Sequence, residues 1–140
     1  MRPIKRLSMA VKASGVVTAV AVAVFAAPAA HAASSATVVR ATKWVGGCEA
    51  VLYSNSSAQA RSRVYKSQGA PSTEKCTGWL ERQATNTSDW ETVSGYHTIT
   101  APGASAYTGW YDDSYAQRAT ACVESWNTIY EIETACTAAW

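Results

Sequence analysis

Two short segments of the sequence place a tryptophan and a carboxylate at the same spacing. Thr-Gly-Trp occurs at 77–79 and again at 108–110, and an acid, Glu81 or Asp112, follows each Trp two positions later. In a β-strand, residues two positions apart lie on the same face, so each pair combines an apolar ring with a hydrogen-bond acceptor. Such a surface suits a sugar ring or a peptide segment, whereas the alternative is that each Trp fills a β-sheet core. The candidate binding residues are Trp79, Glu81, Trp110, Tyr111 and Asp112.

Residues that could carry catalysis are sparse. His97 is the only histidine after residue 32, and it lies in a strand-like segment without a G-x-S-x-G elbow nearby. A pair of carboxylates could serve a glycosidase, but such enzymes need a deep cleft that a short chain leaves little room to build. We therefore expect a protein that is not an enzyme and that needs no cofactor. The carboxylate candidates are Glu81, Asp89, Glu91, Asp112 and Asp113.

Four cysteines predict two disulfides rather than a metal site. The spacings between Cys48, Cys76, Cys122 and Cys136 lack the close pairs that zinc sites prefer, and an even count in an exported chain indicates bridges. We favour the sequential pairing, because Cys48 and Cys76 each share a strand face with a leucine. Cys122 instead shares its face with polar residues, so either a bulge shifts its register or it does not pair with Cys136.

The first 32 residues have the three parts of a secretory signal peptide. A basic start, "MRPIKRLSMAVK", precedes the uncharged apolar run "ASGVVTAVAVAVFAA", and "AHA" at 30–32 offers a cleavage site. The apolar run is too short for a membrane span. We expect a secreted, extracellular protein whose mature part is residues 33–140.

The charge balance argues against nucleic acid as a partner. Of the 12 basic residues four lie in the leader, whereas all 10 acidic residues lie after residue 32, so the mature part is slightly acidic. Nucleic-acid binders carry a basic patch. The spaced cations Arg61, Arg63 and Lys66 are interpreted as a solvated strand face.

The remaining pattern predicts an all-β fold. Short runs rich in Thr, Val, Tyr and Trp alternate with turn residues about every ten positions, which is typical of a small antiparallel sandwich or barrel. After residue 32 every aromatic ring is Trp or Tyr, and polar-tipped rings suit a wet contact surface. About seven strands are predicted, at 44–53, 60–67, 76–83, 90–99, 105–111, 115–124 and 128–137.

Residues 33–43 are predicted to form a flexible N-terminal arm before a β-sandwich domain at 44–140. The arm is β-prone and lacks a large hydrophobe, so it could add a strand to the sheet of a partner. Val38, Val39 and Arg40 are its candidate binding residues.

Three segments, "CTGWLER", "VSGYHT" and "TGWYDDSYAQRATACV", carry a family resemblance. Together with the alanine-rich leader and two disulfides, they resemble small secreted proteins of filamentous actinobacteria, and most of all the adaptor subunit of umbrella toxin particles. The resemblance implies a non-enzymatic β-sandwich that joins a large toxin subunit to a lectin-bearing subunit, with its N-terminal arm docked into a partner. It assigns no individual contact residues.

The predicted function is therefore that of a secreted binding or adaptor protein. Three alternatives remain open, one of which is a weak hydrolase that would depend on Asp112 or Glu81. A carbohydrate-binding module would use Trp79, Trp110 and Tyr111 as a stacking platform, and a secreted protease inhibitor would present the loop 68–76, "QGAPSTEKC".

Overall fold

The computed structural model describes residues 36–114, 117–127 and 130–140 of the chain. The predicted signal peptide and positions 33–35 of the predicted arm lie outside these residues. Within them, no helix has the length and apolar character needed to cross a membrane.

The described residues form two antiparallel sheets that contain ten strands in all. The all-β prediction is confirmed, and because neither sheet closes on itself the architecture is a sandwich. The strands are β1 (Val38–Val45), β2 (Cys48–Ser54), β3 (Gln59–Lys66), β4 (Lys75–Gln83), β5 (Trp90–Thr92), β6 (His97–Ile99), β7 (Ser105–Tyr107), β8 (Tyr111–Asp112), β9 (Arg118–Asn127) and β10 (Tyr130–Cys136).

Each sheet is built on long central strands with two short strands along one edge. Sheet A has the order β1-β2-β3, and β7 and β8 pair with successive parts of the free edge of β3. Sheet B has the order β10-β9-β4, and β5 and β6 pair with the free edge of β4 in the same way. The two sheets thus have the same arrangement, in which three long strands lie side by side and two short strands pair with the free edge of the third.

The seven predicted strands become ten because three of them are each divided in two. The run 44–53 is interrupted by a turn at Gly46, whose φ of 55° is a left-handed conformation that glycine adopts at low cost. The runs 90–99 and 105–111 are broken at Ser94 and Thr108, whose hydroxyls accept hydrogen bonds from the backbone N–H groups of Leu80 and Ser62. At each break a side-chain hydroxyl takes the place of a backbone carbonyl as hydrogen-bond acceptor. The backbone hydrogen bonding between the strands is interrupted there, so each run forms two short edge strands.

The core lies between the two sheets and is filled by small and medium side chains. Sheet A contributes Ala50, Leu52 and Val64, and sheet B contributes Leu80 and Val123, each at most 2% exposed. Among the described residues, no tryptophan belongs to this core cluster. Because these residues alternate along their strands, the residues between them must point to the outer faces of the sandwich.

The two disulfides occupy different layers of the sandwich. Cys48 on β2 is bonded to Cys76 on β4, so this bridge crosses the core and joins the sheets. Cys122 and Cys136 are directly opposed on β9 and β10 and are bonded within sheet B. The polar face that Cys122 shares with its neighbours is the outer face of sheet B, so this bridge needs neither a bulge nor another pairing.

The predicted division between a flexible arm and a domain at residue 43 is wrong. Residues from Val38 onward form β1, which pairs with β2 along its whole length apart from one irregularity between Val39 and Ala41. Ala41 and Val45 pack against the core, which gives this small, β-prone segment enough buried surface to be held as an edge strand.

Candidate functional site

The first Thr-Gly-Trp segment lies on the outer face of sheet B, but its indole is not free. Trp79 is only 8% exposed, because Tyr96 packs over it with ring centroids 5.3 Å apart. Its Nε1–H donates to the Glu81 carboxylate at 2.8 Å. The predicted pairing of ring and acid on one face is therefore present, but the Trp79 indole is covered by Tyr96 and its N–H is already bonded to Glu81, so this ring does not face a ligand.

The second segment lies on the opposite side of the molecule. Trp110 is half-buried beside β3 of sheet A, where the Arg61 guanidinium lies 4.5 Å from the centroid of its ring. Asp112 is exposed, and Tyr111 packs against the core rather than beside Trp110. The five residues predicted from the repeat consequently do not form one surface.

The two glycines of the repeat also differ in what they do. A Cβ at Gly78 would lie 2.5 Å from Cβ of Val64 in the facing sheet, so this glycine permits the close approach of the two sheets. A Cβ at Gly109 would meet only the Tyr111 ring, at 3.6 Å or more, which is an ordinary contact. The repeat is thus a local resemblance between two strands with different structural roles.

The best candidate site is the outer face of sheet A, which we call the arginine–aromatic surface. It combines two arginines with large rings that come from β1, β2, β3, β7 and the segment before β8. Alternation fixes its membership, since the residues between them on β2 and β3 face the core. Its members are Trp44, Glu49, Tyr53, Arg61, Arg63, Tyr65, Tyr107 and Trp110.

Arg61 is held at one end of this surface by three rings. Its guanidinium carbon lies 4.6 Å from the ring centroid of Tyr107, 4.5 Å from that of Trp110 and 5.5 Å from that of Tyr53. Each such cation–π contact contributes roughly 0.5–2 kcal/mol, depending on solvent exposure. Within the part of the chain that the structure describes, no carboxylate forms an ion pair with Arg61.

Arg63 lies at the centre of the surface and is paired. Its Nη2 donates to the Glu49 carboxylate at 2.7 Å, and its guanidinium carbon lies 5.5 Å from the ring centroid of Tyr65. Trp44 contacts Tyr65 edge-on, with centroids 6.2 Å apart and an interplanar angle of 86°. Burial raises the pKa of the Tyr53 phenol above its usual value, and the charge of Arg63 opposes this shift.

The interpretation of the three spaced cations as a solvated strand face is therefore wrong. Arg61 and Arg63 point outward but are covered in part by rings. Lys66, one position out of phase, points inward and is fully buried, and its ammonium donates to the backbone carbonyls of Glu74 and Thr100 at 2.6 and 2.8 Å. The sequence signal that could have located the surface is the same-face alternation of Arg61, Arg63 and Tyr65.

Glu74, beside Lys66, belongs to a buried structural network. Its carboxylate accepts hydrogen bonds from the backbone N–H of Gly47 at 2.9 Å and from the Ser125 hydroxyl at 2.5 Å. This network connects the turn between β1 and β2 to the segment before β4 and to β9. It fixes one end of the sandwich and presents no group to a ligand, since Glu74 is 3% exposed.

The outer face of sheet B carries a second, smaller set of exposed rings. Tyr96 is 65% exposed and Trp90 is 38% exposed. Beside Trp90 is a shallow cavity of about 280 Å³, lined in part by the Glu81 carboxylate and the exposed Cys136. A second cavity of about 360 Å³ lies farther along the same face, beside Trp126.

The predicted arm residues lie at the edge of sheet A. Val38 and Val39 are 45% and 53% exposed on β1. Arg40 turns toward the C-terminal residue, with its guanidinium carbon 4.2 Å from the Trp140 ring centroid, and its Nε donates to the Ser54 hydroxyl. In the part of the chain that the structure describes, β1 is the outermost strand of sheet A and only β2 pairs with it.

Two further chemical candidates are an acid with a raised pKa and a group of three possible metal ligands. Burial, with Asp112 adding to it and Arg82 opposing it, raises the pKa of Asp113 to about 6, a value suited to a general acid. However, Asp113 lines neither cavity described above. Glu81 lies near the sulfurs of Cys122 and Cys136, but cysteines in a disulfide offer no thiolate to a metal.

The loop proposed for protease inhibition is folded into turns. The N–H of Ala70 donates to the carbonyl of Ser67 at 3.1 Å, and that of Glu74 donates to the carbonyl of Pro71 at 3.0 Å. An inhibitory loop must instead be extended to add to the edge of a protease strand.

Comparison with known protein families, curated proteins and solved structures finds no match for this chain.

Proposed function

We propose that this chain is a secreted, non-enzymatic adaptor that binds two other secreted proteins through opposite faces of its sandwich. The observation that carries the proposal is the placement of exposed rings on both outer faces, Trp44 and Tyr107 on sheet A and Trp90 and Tyr96 on sheet B. An adaptor needs two surfaces that partners can occupy together, and back-to-back sheets supply them without overlap.

The composition of the arginine–aromatic surface supports binding to a protein. Trp, Tyr and Arg are the residues most enriched among those that dominate interface energy. Val51 at its centre is 2% exposed although it points outward, so the larger side chains around it are already packed. A surface that is ordered before binding loses less side-chain entropy when a partner arrives.

The cystines support function outside the cytosol. Disulfides persist in oxidising environments, and small exported domains rely on them because their cores are small. With the leader sequence and the resemblance to umbrella toxin adaptors, this favours a large toxin subunit and a lectin-bearing subunit as the two partners.

Affinity capture with matched variants tests the proposal. The wild-type protein, Trp44→Ser and Trp90→Ser are each immobilised, exposed to culture medium of the producing organism, and the retained proteins are identified by mass spectrometry. We expect the two variants to lose different proteins, because their rings lie on opposite faces. Asn86→Ser, in the exposed loop after β4, is the control and should retain both.

Two outcomes would contradict the adaptor proposal. If no secreted protein is retained by the wild-type protein, there is no partner to join. If the Trp44→Ser variant captures none of the proteins that the wild-type protein retains and the Trp90→Ser variant captures all of them, the chain binds its partners through one face only. Equal melting temperatures of the variants and the wild-type protein establish that any loss is local.

A glycan is a second candidate ligand, favoured by the cavity on sheet B. Trp90 supplies an exposed ring there and Glu81 supplies a hydrogen-bond acceptor, the same combination of groups that the Thr-Gly-Trp repeat predicts. Glycan-array binding that Trp90→Ala abolishes and Trp44→Ala leaves intact would support this function. Absence of any array signal from the wild-type protein would exclude it for the glycans displayed.

A further inference from the structure

The arginine–aromatic surface has an excess of positive charge that no described side chain neutralises. Arg63 is paired with Glu49, whereas Arg61 has rings but no carboxylate beside it. This local charge stands out because residues 33–140 as a whole are slightly acidic. A carboxylate is thus attracted to this face rather than to the protein in general.

The guanidinium of Arg61 is also held in place before any ligand arrives. Three rings lie within 5.5 Å of it, so its plane is restricted without any hydrogen bond to a protein acid. A planar guanidinium recognises a carboxylate through two parallel N–H···O bonds, and this geometry is most effective when the side chain is already ordered.

We propose that Arg61 is a recognition residue that binds an aspartate or glutamate side chain of a partner protein laid across the outer face of sheet A. This inference rests on the proposed function, because it names the chemistry of the partner that occupies this face. The ring of Tyr107, beside Arg61, contacts the apolar residues next to that acid, and Trp44, which lies beside Glu49 and Tyr65 at the other end of the surface, contacts residues farther along the same partner segment.

The ring geometry favours an acidic protein segment over an acidic glycan. A sugar ring stacks on a flat aromatic platform, but Trp44 and Tyr65 meet at 86° and Tyr53 and Tyr107 at 44°. Neither of the two cavities described above is lined by members of this surface. Tilted rings on an open face suit the irregular side chains of a protein partner.

The test uses acetylated hexaglutamate as the probe and the indole N–H signals in proton–nitrogen NMR spectra as reporters. We expect hexaglutamate at low salt to shift the signals of Trp44 and Trp110 and to leave that of Trp90 unchanged. About 0.5 M NaCl should remove the shifts, because partly exposed charges are screened at that ionic strength. Hexaglutamine, of the same length without charge, should produce no shift.

Two substitutions of Arg61 distinguish the effect of its positive charge from the effect of its planar guanidinium shape. Arg61→Gln should weaken hexaglutamate binding at least about ten-fold, and Arg61→Lys should weaken it less, because the charge stays and the planar fork is lost. Arg118→Gln removes an exposed arginine from sheet B and should bind as the wild-type protein does. If Arg61→Gln does not fold, the comparison of Arg61→Lys with the wild-type protein still decides the point.

Several outcomes would overturn the inference. These are an absence of shifts, equal shifts on both faces, or undiminished binding by the Arg61 variants. A hyaluronan hexasaccharide that shifts Trp44 and Trp110 when hexaglutamate does not would assign the face to an acidic glycan. If Trp44→Ser abolishes capture of a secreted partner while hexaglutamate fails to bind, the acidic partner is refuted and the adaptor proposal stands.

Discussion

Replacing Gly78 by alanine tests whether the first Thr-Gly-Trp segment is a packing device. The added Cβ would lie 2.5 Å from Cβ of Val64 and 3.1 and 3.2 Å from its two methyl carbons, whereas carbons pack at about 3.5–4.0 Å. Val64 is 2% exposed and sits on the central strand β3. The strain can therefore be relieved only if the two sheets move apart locally by up to about 1 Å.

The expected destabilisation follows from two opposing effects. Overpacking of a core costs about 1–3 kcal/mol, and the upper half applies here because the nearest atom is a Cβ fixed to a strand. Alanine restricts the unfolded chain more than glycine does, and this effect stabilises the folded state by about 0.4–1 kcal/mol. The net loss of stability for Gly78→Ala is about 1–2.5 kcal/mol, which lowers the melting temperature of a domain this size by roughly 5–20 °C.

Thermal unfolding followed by circular dichroism on the oxidised protein measures this change. Gly109→Ala is the matched control, because its Cβ meets only ordinary contacts, and it should stay within about 0.5 kcal/mol of the wild-type protein. Val64→Ala should not rescue Gly78→Ala, because alanine keeps the Cβ that causes the clash. Equal stability of Gly78→Ala and the wild-type protein, or equal losses for both glycine variants, would refute the packing argument.

Two further predictions concern a buried acid and the disulfides. The pKa of Asp113 is raised to about 6 in the folded protein from its ordinary value of 3.8. The folded state therefore binds a proton at this carboxylate more tightly than the unfolded state does. As a result, the contribution of Asp113 to stability falls as pH rises from about 4 to 6. Asp113→Asn should therefore unfold at higher urea concentration than the wild-type protein at pH 7, with a smaller difference at pH 4, and the opposite trend would contradict the assignment. Removing Cys48 and Cys76 together should cost at least about 1 kcal/mol more than removing Cys122 and Cys136. Loop entropy alone gives similar values of about 3–3.5 kcal/mol for the two bridges, but both cysteines of the first pair are buried in the core between the sheets, whereas Cys136 is exposed. Equal midpoints of urea unfolding for the two double variants would show that the core contribution is absent.

The contrast between the two halves of the Thr-Gly-Trp repeat explains why the site could not be found from it. Period-two alternation correctly placed Trp79 and Glu81 on one face. It could not supply Tyr96, which covers Trp79 from another part of the chain. Nor could it indicate that Trp110 belongs to the other sheet, because sheet membership depends on which strands pair.

The sequence by itself determined the features that arise from local pattern. Alternation, turn residues and even spacing were sufficient for an all-β chain, and the shared faces of Cys48 and Cys76 indicated their bridge across the core. It also placed Arg61 and Arg63 on one strand face, since strand geometry alone fixes that relation.

Only the tertiary structure decided which faces became core and which rings came together. Whether Lys66 is solvated or buried depends on the carbonyls that reach it from Glu74 and from the loop between β6 and β7. The arginine–aromatic surface exists because β2, β3 and β7 are hydrogen-bonded side by side, which places Tyr53 and Tyr107 against Arg61. Such contacts join residues up to about fifty positions apart, and no local pattern encodes them.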